Sequence, residues 1–575
     1  MTPRSEPPLS LFHAGPIRFL RPILFLGAGS GFGLLFDTKT LLVPCFYLIV
    51  PLLLPFFLLR PRTPGKGFLE GLLFGLAANM IGIRWITVSM ENYGHLPVPL
   101  SLAGLSLFSL YLALYPALFR ALSLRFGFWR ETTNRLALRS LWMAPALWVL
   151  CESGKTEILT GFPWNPLGSL LFGHPLLALP ARTIGTTGLS FLVVTEAVLL
   201  AMALLELSRG LQRRTLSIAL LPAGFLALWL SWGSILDQRS PVSSIVQVSL
   251  VQADIPPDQK WSAENLRKNL ALYLALSKEG IGRGARLLVW PETALPALYN
   301  SPKTHLASKL SPLLSPETSL LTGAIGERPD DSSPIGIAFT NAAVLYGPDG
   351  TLRADYIKRH LVPFGEFLPL PALFGWLRPM LGVSGDMARG ALPGRFPLPQ
   401  GGGTFSPLIC YEALYPSLSR ENLGNGQLLA VLSDDAWFGE TSAPWQLFRE
   451  SGMRAAENGV YLVRAANTGL SGVVAPDTTV LRSGPLFQKA VLTVPTPLLT
   501  EHTFYREHGE WVLRLSLSGL LFYLALSPLL GERLWKTPPA GPDSPDQRSK
   551  DPATTNDPAA SASAPPGRHE CDGRP

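Results

Sequence analysis

Three polar residues stand where apolar strands end: Glu292 follows Leu287–Pro291, Lys358 follows Tyr356-Ile357, and Cys410 closes Pro407-Leu408-Ile409. A thiol attacks as its thiolate, and a free cysteine, with a pKa of about 8.5, needs a base or a cation beside it to do so at neutral pH. Glu292 suits the role of base if apolar walls surround it. Lys358 suits that of the cation that holds the oxyanion formed when a thiolate attacks a carbonyl. Taken singly, each has a plainer reading: a strand-end cysteine is usually a small buried hydrophobe, and a lone Glu or Lys is usually a solvated rim charge. The flanking residues decide between the two.

For these groups to meet, strands far apart in sequence must become neighbours. Ser244–Val251, Leu287–Trp290, Leu320–Ile325, Asn341–Tyr346, Leu352–Tyr356, Pro407–Tyr411, Leu428–Leu432 and Tyr461–Ala465 read as strands, and Pro348-Asp349-Gly350 as a hairpin turn. Residues 262–279 and 443–459 read as helices. This mixture predicts an α/β or α+β layered domain over 236–511, about 275 residues and near the upper end of domain size.

The rest of the chain is apolar. With 575 residues, 47% hydrophobic and only 15% charged, it exceeds what a soluble multidomain protein carries. Hydrocarbon about 30 Å thick takes roughly 20 apolar residues per helix, and such windows fall near 17–36, 41–59, 67–90, 96–119, 140–158, 186–206, 215–235 and 512–530. The expectation is a polytopic α-helical membrane domain of about eight spans, the fifth being the weakest because Glu152 and Lys155 interrupt it. Residues 1–235 would hold seven spans, 236–511 the folded domain, 512–535 the eighth span and 536–575 a cytoplasmic tail. That tail is too poor in large apolar residues to fold.

Lysine and arginine sort the connections by side. Residues 1–21, 60–66, 120–139 (five arginines) and 207–214 are rich in them; those between carry Lys39, none, and Lys155 with Arg182. The rich connections face the cytoplasm, so by parity 236–511 is extracytoplasmic. The first window lacks a small-residue cleavage site and reads as a retained anchor. Gly27-Ala-Gly-Ser-Gly-Phe-Gly33 lacks the strand and sixth-position glycine of a nucleotide loop; its spacing suits close helix packing.

The net charge of +7 forms no basic stripe with interleaved aromatics, so nucleic acid is not expected. Four cysteines, Cys45, Cys151, Cys410 and Cys571, lie too far apart to suggest a disulfide framework or metal site. Cys571 and His569 fall in the tail. The chemistry proposed for Cys410 needs no cofactor and no metal.

Three blocks carry a specific resemblance: Trp290-Pro291-Glu292-Thr293-Ala294-Leu295-Pro296, Tyr356-Ile357-Lys358-Arg359-His360-Leu361-Val362-Pro363-Phe364-Gly365-Glu366-Phe367-Leu368-Pro369, and Ile409-Cys410-Tyr411-Glu412. In order and spacing they resemble the signature blocks of the carbon–nitrogen hydrolase (nitrilase) superfamily, in the version carried by the apolipoprotein N-acyltransferase family. Gly161-Phe162-Pro163-Trp164-Asn165-Pro166-Leu167-Gly168, Val251-Gln252-Ala253-Asp254-Ile255-Pro256 with Trp261, and Asp435-Ala436-Trp437-Phe438-Gly439 extend the likeness to about residue 535.

The resemblance implies a nitrilase-like αββα sandwich and a Glu292–Lys358–Cys410 triad, with Glu366 and Glu412 as supporting carboxylates and Tyr411 and Trp261 on the substrate side. A loop cap is the plainer role for Glu366, and aromatic packing for Tyr411 and Trp261. It also implies the last step of bacterial lipoprotein maturation: ping-pong transfer of an acyl chain from a phospholipid, through a Cys410 thioester, to the N-terminal amine of a diacylated apolipoprotein at the outer face of the cytoplasmic membrane. The apolar stretch Pro369–Leu381 would line the entry. The family pattern usually has Asn where this chain has Asp434, and Gln-His where it has Gln446-Leu447; neither departure is expected to touch the triad.

Two rivals follow from the same sequence. A membrane-tethered amidase would use the triad on a small soluble amide, and would not need so many spans. An inactive transporter or scaffold would carry paired intramembrane charges, for which Glu70, Arg84, Glu152 and Glu196 are candidates without forming a relay.

Overall fold

The computed structural model describes residues 17–43, 46–130, 136–210, 213–237, 241–260, 263–301, 306–314, 316–331, 336–377, 386–399 and 401–528. Trp261, Cys45, residues 378–385 and the tail with His569 and Cys571 lie outside them. The longer helices are α1 (Ile17–Phe36), α2 (Ile49–Leu58), α3 (Pro64–Gly82), α4 (Ile86–Asn92), α5 (Val98–Arg125), α6 (Ser140–Glu157), α7 (Ala181–Leu207), α8 (Leu221–Leu236), α9 (Ala263–Gly282), α10 (Ala443–Asn458) and α11 (Trp511–Leu526).

All eight apolar windows contain helix, but not all as one straight span. Among the described residues three helical stretches are long and apolar enough to cross a membrane: Val98–Arg125, Ala181–Leu207 and Thr215–Leu236. A fourth is reached if α3 and α4, bent by 52° at their junction, count together. Leu107 of α5, Leu228 of α8, and Leu515 and Phe522 of the shorter α11 turn outward, apolar surface that only lipid or another apolar partner suits. Gly29 and Gly33 of α1 do pack closely on α3: an added Cβ would sit 2.2 Å from the Phe74 carbonyl oxygen and 2.5 Å from that of Ala78. Arg120, assigned from sequence to a cytoplasmic loop, is instead inside α5 and fully buried. It donates to the carbonyls of Phe56 and Leu59 and to Glu70, which also pairs with Arg21. The helix runs a turn further than the apolar window because those acceptors satisfy the guanidinium.

The domain between α8 and α11 is two sheets packed face to face. Strands β1 (Val242–Gln252), β2 (Leu287–Val289), β3 (Leu295–Leu298), β4 (Ser319–Pro329), β5 (Ile337–Tyr346), β6 (Leu352–Ile357) and β13 (Ala490–Leu499) form the first, in the order β13-β1-β2-β4-β5-β6 with β3 on β4. Strands β7 (Phe396–Pro397), β8 (Thr404–Ile409), β9 (Leu428–Ser433), β10 (Tyr461–Ala466), β11 (Gly472–Val474) and β12 (Val480–Ser483) form the second, in the order β12-β11-β10-β9-β8-β7. The central strands β1-β2-β4 and β8-β9-β10 are parallel, and parallel strands need both faces covered.

Alternation along each strand shows how they are covered. Leu287 and Val289 point between the sheets with Leu428, Ala430 and Leu432, while Leu288 and Trp290 point outward with Tyr273 of α9. Leu429 and Val431 point the other way, into a core shared with Phe448 and Met453 of α10 and with the membrane helices. The layers are therefore α9, sheet, sheet, α10, as the αββα expectation has it. The hairpin at 348–350 is present between β5 and β6. Five strands escaped the pattern reading. The longest, β13, carries Pro495 and Pro497, which an edge strand tolerates and a central one does not.

Helix α10 lies between the second sheet and the membrane helices, so nearly every side chain on it is buried, charged ones included. Gln446 donates to the carbonyls of Phe36 and Gly82, the last residues of α1 and α3. Arg449 donates to the carbonyls of Phe36, Thr38 and Thr40, and Glu457 accepts from the amide and hydroxyl of Thr186 near the start of α7. The orphan carbonyls at a helix C-terminus need donors, and a cation there also opposes the helix dipole. Leu447, at the second departure from the family pattern, is 1% exposed and packs in an apolar cluster with Trp85, Trp164, Tyr411 and Leu414.

Candidate active site

Each of the three strand-end residues leaves its strand in a turn that aims it at the same place. Glu292 follows β2; its neighbour Thr293 has a left-handed φ of 48°, and Gly323 of β4 lies so close that a Cβ there would stand 2.6 Å from the Glu292 Cα. Only glycine permits that approach. Lys358 directly follows β6. Cys410 begins a 3₁₀ turn at the end of β8 with φ 51°, a conformation that a residue with a side chain keeps only when its surroundings over-determine it. The strand expected over Pro407–Tyr411 thus stops at Ile409, because Cys410 must leave the ladder to present its sulfur.

Glu292, Lys358 and Cys410 come together, with Glu366. The Lys358 ammonium, 1% exposed, donates to Glu292 Oε1 at 3.2 Å and to Glu366 Oε1 at 2.9 Å. Asn341 Nδ2 bridges the same two carboxylate oxygens at 2.8 Å each. The other Glu292 oxygen accepts the backbone N–H of Asp434 at 2.9 Å. Glu366 Oε2 accepts the Val362 N–H at 2.8 Å, so this residue both caps its own loop and holds the lysine.

Electrostatics follow from that packing. Burial alone would lower the Lys358 pKa, but Glu292 and Glu366, with Cys410, raise it above the ordinary lysine value. It therefore remains an ammonium at neutral pH. Burial, then the Glu292 charge, push the Cys410 thiol up; Lys358 and a hydrogen bond with Ser433 oppose this without cancelling it. At rest the sulfur carries its proton, and thiolate forms only as a base removes it.

Glu412 sits elsewhere. Its carboxylate accepts the N–H groups of Ile409, Arg359 and His360 and the Tyr356 hydroxyl. It ties the ends of β6 and β8 together, fixing Lys358 relative to Cys410, and feels the Lys358 charge. Tyr411 is buried, donates to the Gly161 carbonyl, and lies 6.4 Å from the Trp164 ring centroid. It thus joins the site to the loop after α6, where Phe162 and Trp164 stack against Phe108, Trp85 and Phe438. Trp376, in the expected entry stretch, is 67% exposed.

One expectation is corrected. Asp434 does touch the triad, through its own N–H on Glu292, because β9 runs in the middle of the second sheet and ends opposite β2. Sequence reading also missed Asn341, whose one signal is a polar residue inside the apolar run of β5, and Lys260, which gives no signal at all.

Comparison with known proteins identifies the family. A family model described as the apolipoprotein N-acyltransferase N-terminal domain matches residues 32–199, and one described as carbon-nitrogen hydrolase matches 247–500. The apolipoprotein N-acyltransferase of Shewanella oneidensis is 35% identical over 476 residues, covering 80% of this chain and 87% of that one. The corresponding protein of Geobacter metallireducens is 33% identical, with 78% and 84% covered. Among solved structures, an amidase from Nesterenkonia sp. aligns at 22% identity over 48% of this chain and 98% of its own, with a TM-score of 0.34.

Proposed function

This chain belongs to the apolipoprotein N-acyltransferase family, and from that premise we propose that Glu292, Lys358 and Cys410 carry out the transfer in two half-reactions. In the first, Glu292 takes the Cys410 proton as the sulfur attacks an acyl ester of a membrane phospholipid, and Lys358 holds the oxyanion. The C–S bond forms, the ester C–O bond breaks, and the lysophospholipid leaves with the proton from Glu292. In the second, the free N-terminal amine of a diacylated apolipoprotein attacks the thioester. Its proton passes to Glu292, the C–N bond forms, and the C–S bond breaks to return the thiol.

The observation that carries this reading is that one buried ammonium grips two carboxylates beside a thiol at the mouth of a sandwich joined to membrane helices. Asn341 and Glu366 keep Lys358 fixed, so little reorganisation accompanies the charge that develops on the acyl oxygen. Tyr411 and the Trp164 loop put the nucleophile beside apolar helices, as suits a substrate whose acyl chains stay in lipid. Trp261 and Tyr411 are proposed to face that substrate.

The membrane arrangement proposed is eight spans in a bacterial cytoplasmic membrane, with the sandwich on the outer face and the tail inside. Two features support it: α10 caps the carboxyl ends of α1 and α3 and meets the start of α7, and charge parity assigns all three ends to the outer side.

The test is a Cys410→Ala and Cys410→Ser pair, assayed for acyl-enzyme with labelled phospholipid and for N-acylation of a diacylated lipopeptide. Both steps are expected to stop in the Ala variant; full transfer by it would sink the mechanism. A reporter fused after Ser240 is expected to be active outside the membrane and one after Arg213 is not, and the reverse pattern would invert the topology.

A further inference from the structure

We infer that Lys260 and Asp434 form a buried, charge-balanced clamp that holds Glu292 in its reacting position, a role that rests on Glu292 being the base. Lys260 closes the short helical turn Pro257–Lys260 after β1, and its side chain is 7% exposed. Its ammonium donates to Asp434 Oδ2 at 2.5 Å, to Thr293 Oγ1 at 2.5 Å and to the Glu292 backbone carbonyl at 3.0 Å. Asp434, 3% exposed, accepts from Asn467 Nδ2 at 3.2 Å and from the Ala436 N–H at 3.3 Å through Oδ1. Its own N–H donates to Glu292 Oε2 at 2.9 Å.

Glu292 is therefore gripped at both ends by one pair: Lys260 takes its main-chain carbonyl, and the Asp434 backbone takes its carboxylate. The three residues follow β1, β2 and β9, so the clamp bridges the two sheets where the base emerges. Glu292 sits in a turn whose next residue, Thr293, is in the left-handed region. Lys260 bonds both residues of that turn, which would otherwise relax toward ordinary backbone angles.

The clamp also decides which charges the base feels. Facing Glu292 from β6 and the following loop are Lys358 and Glu366, and from the end of β8 Cys410. Asp435 is neutralised by Arg464, whose Nη2 lies at 2.7 Å and 2.9 Å from its two oxygens. Near Asp434 stand Tyr93, just after α4, which Asp258 also faces, and Tyr273 of α9. With both members present, Lys260 and Asp434 nearly cancel at the base. Removing one changes the charge a few ångströms from Glu292 by one unit, where water screens the change poorly.

This gives opposite predictions for the two halves. In the full-length chain in mixed micelles, the rate of acyl-enzyme formation is followed against pH, together with the Tm in the same detergent. Asp434→Asn, nearly isosteric, removes a negative charge beside the base; the Glu292 carboxylate is favoured, and the acidic limb of the profile moves to lower pH by about one unit. Lys260→Met leaves Asp434 unbalanced and moves the limb the other way by about as much. The double variant returns it close to the parent. If Lys260→Met does not fold, the shift in Asp434→Asn carries the test alone. An acidic limb that stays in place in the folded variants, with rate lost only in step with Tm, would reduce the pair to a structural tie and overturn the inference. Glu292→Gln, measured alongside, separates the two readings: if it forms acyl-enzyme at the parent rate, the base assignment falls and the clamp's role with it, whereas an inert Glu292→Gln with unmoved limbs overturns the clamp alone.

Discussion

Two of the buried polar networks in this molecule lie on opposite sides of the second sheet. Around Glu292 the charged groups face one another: an ammonium between two carboxylates, with a thiol beside them. On α10, Gln446 and Arg449 donate to main chain instead, at the ends of α1 and α3. Burial and hydrogen-bond number do not tell these networks apart. What does is where the charge ends: side chain on side chain leaves a proton free to move, whereas side chain on backbone carbonyl fixes two elements together.

That contrast can be broken at either end. The largest effect is expected from Lys358→Met, which removes the cation opposing the oxyanion. Acyl-enzyme formation should fall by about 10³-fold with the fold intact, so a fall matched by lost secondary structure would place Lys358 with the structural network. Next is Arg449→Met, which strands the carbonyls of Phe36, Thr38 and Thr40. It should cost about 2–4 kcal/mol of stability, seen as a lower Tm in detergent, while the rate per folded molecule changes little; a selective loss of rate at unchanged Tm would make α10 part of the chemistry. Glu366→Gln keeps the loop cap but weakens the grip on Lys358, and a fall of about 10–100-fold in acyl-enzyme formation is expected.

The smallest effect concerns the resting thiol. Because burial and the neighbouring Glu292 raise its pKa, alkylation of Cys410 by iodoacetamide should increase with pH up to and past the ordinary thiol range of about 8.5. Lys358→Met, lacking the one cation that lowers that pKa, should move the midpoint higher still. A midpoint below neutral would mean a thiolate at rest and remove the need for Glu292 in the first proton transfer.

Local order was legible wherever one residue type in one position suffices. Apolar windows gave the helices, alternation gave the central strands, and Asp349-Gly350 gave the hairpin, since each depends on near neighbours. Glu292, Lys358 and Cys410 were legible because reactive types ended apolar runs. Glu366 was legible only by resemblance, and Lys260 not at all.

What sequence alone determined, then, is which segments are apolar enough for lipid and which form the sandwich; it also put forward the three residues proposed for acyl transfer. Tertiary structure decided the rest. It brought Asn341 between two carboxylates, set Glu412 to tie the ends of β6 and β8, joined Tyr411 to the loop after α6, and set Lys260 on Asp434 beneath Glu292. These contacts join positions tens to hundreds of residues apart, and their partners are chosen by sheet order and layer packing, which no local pattern encodes.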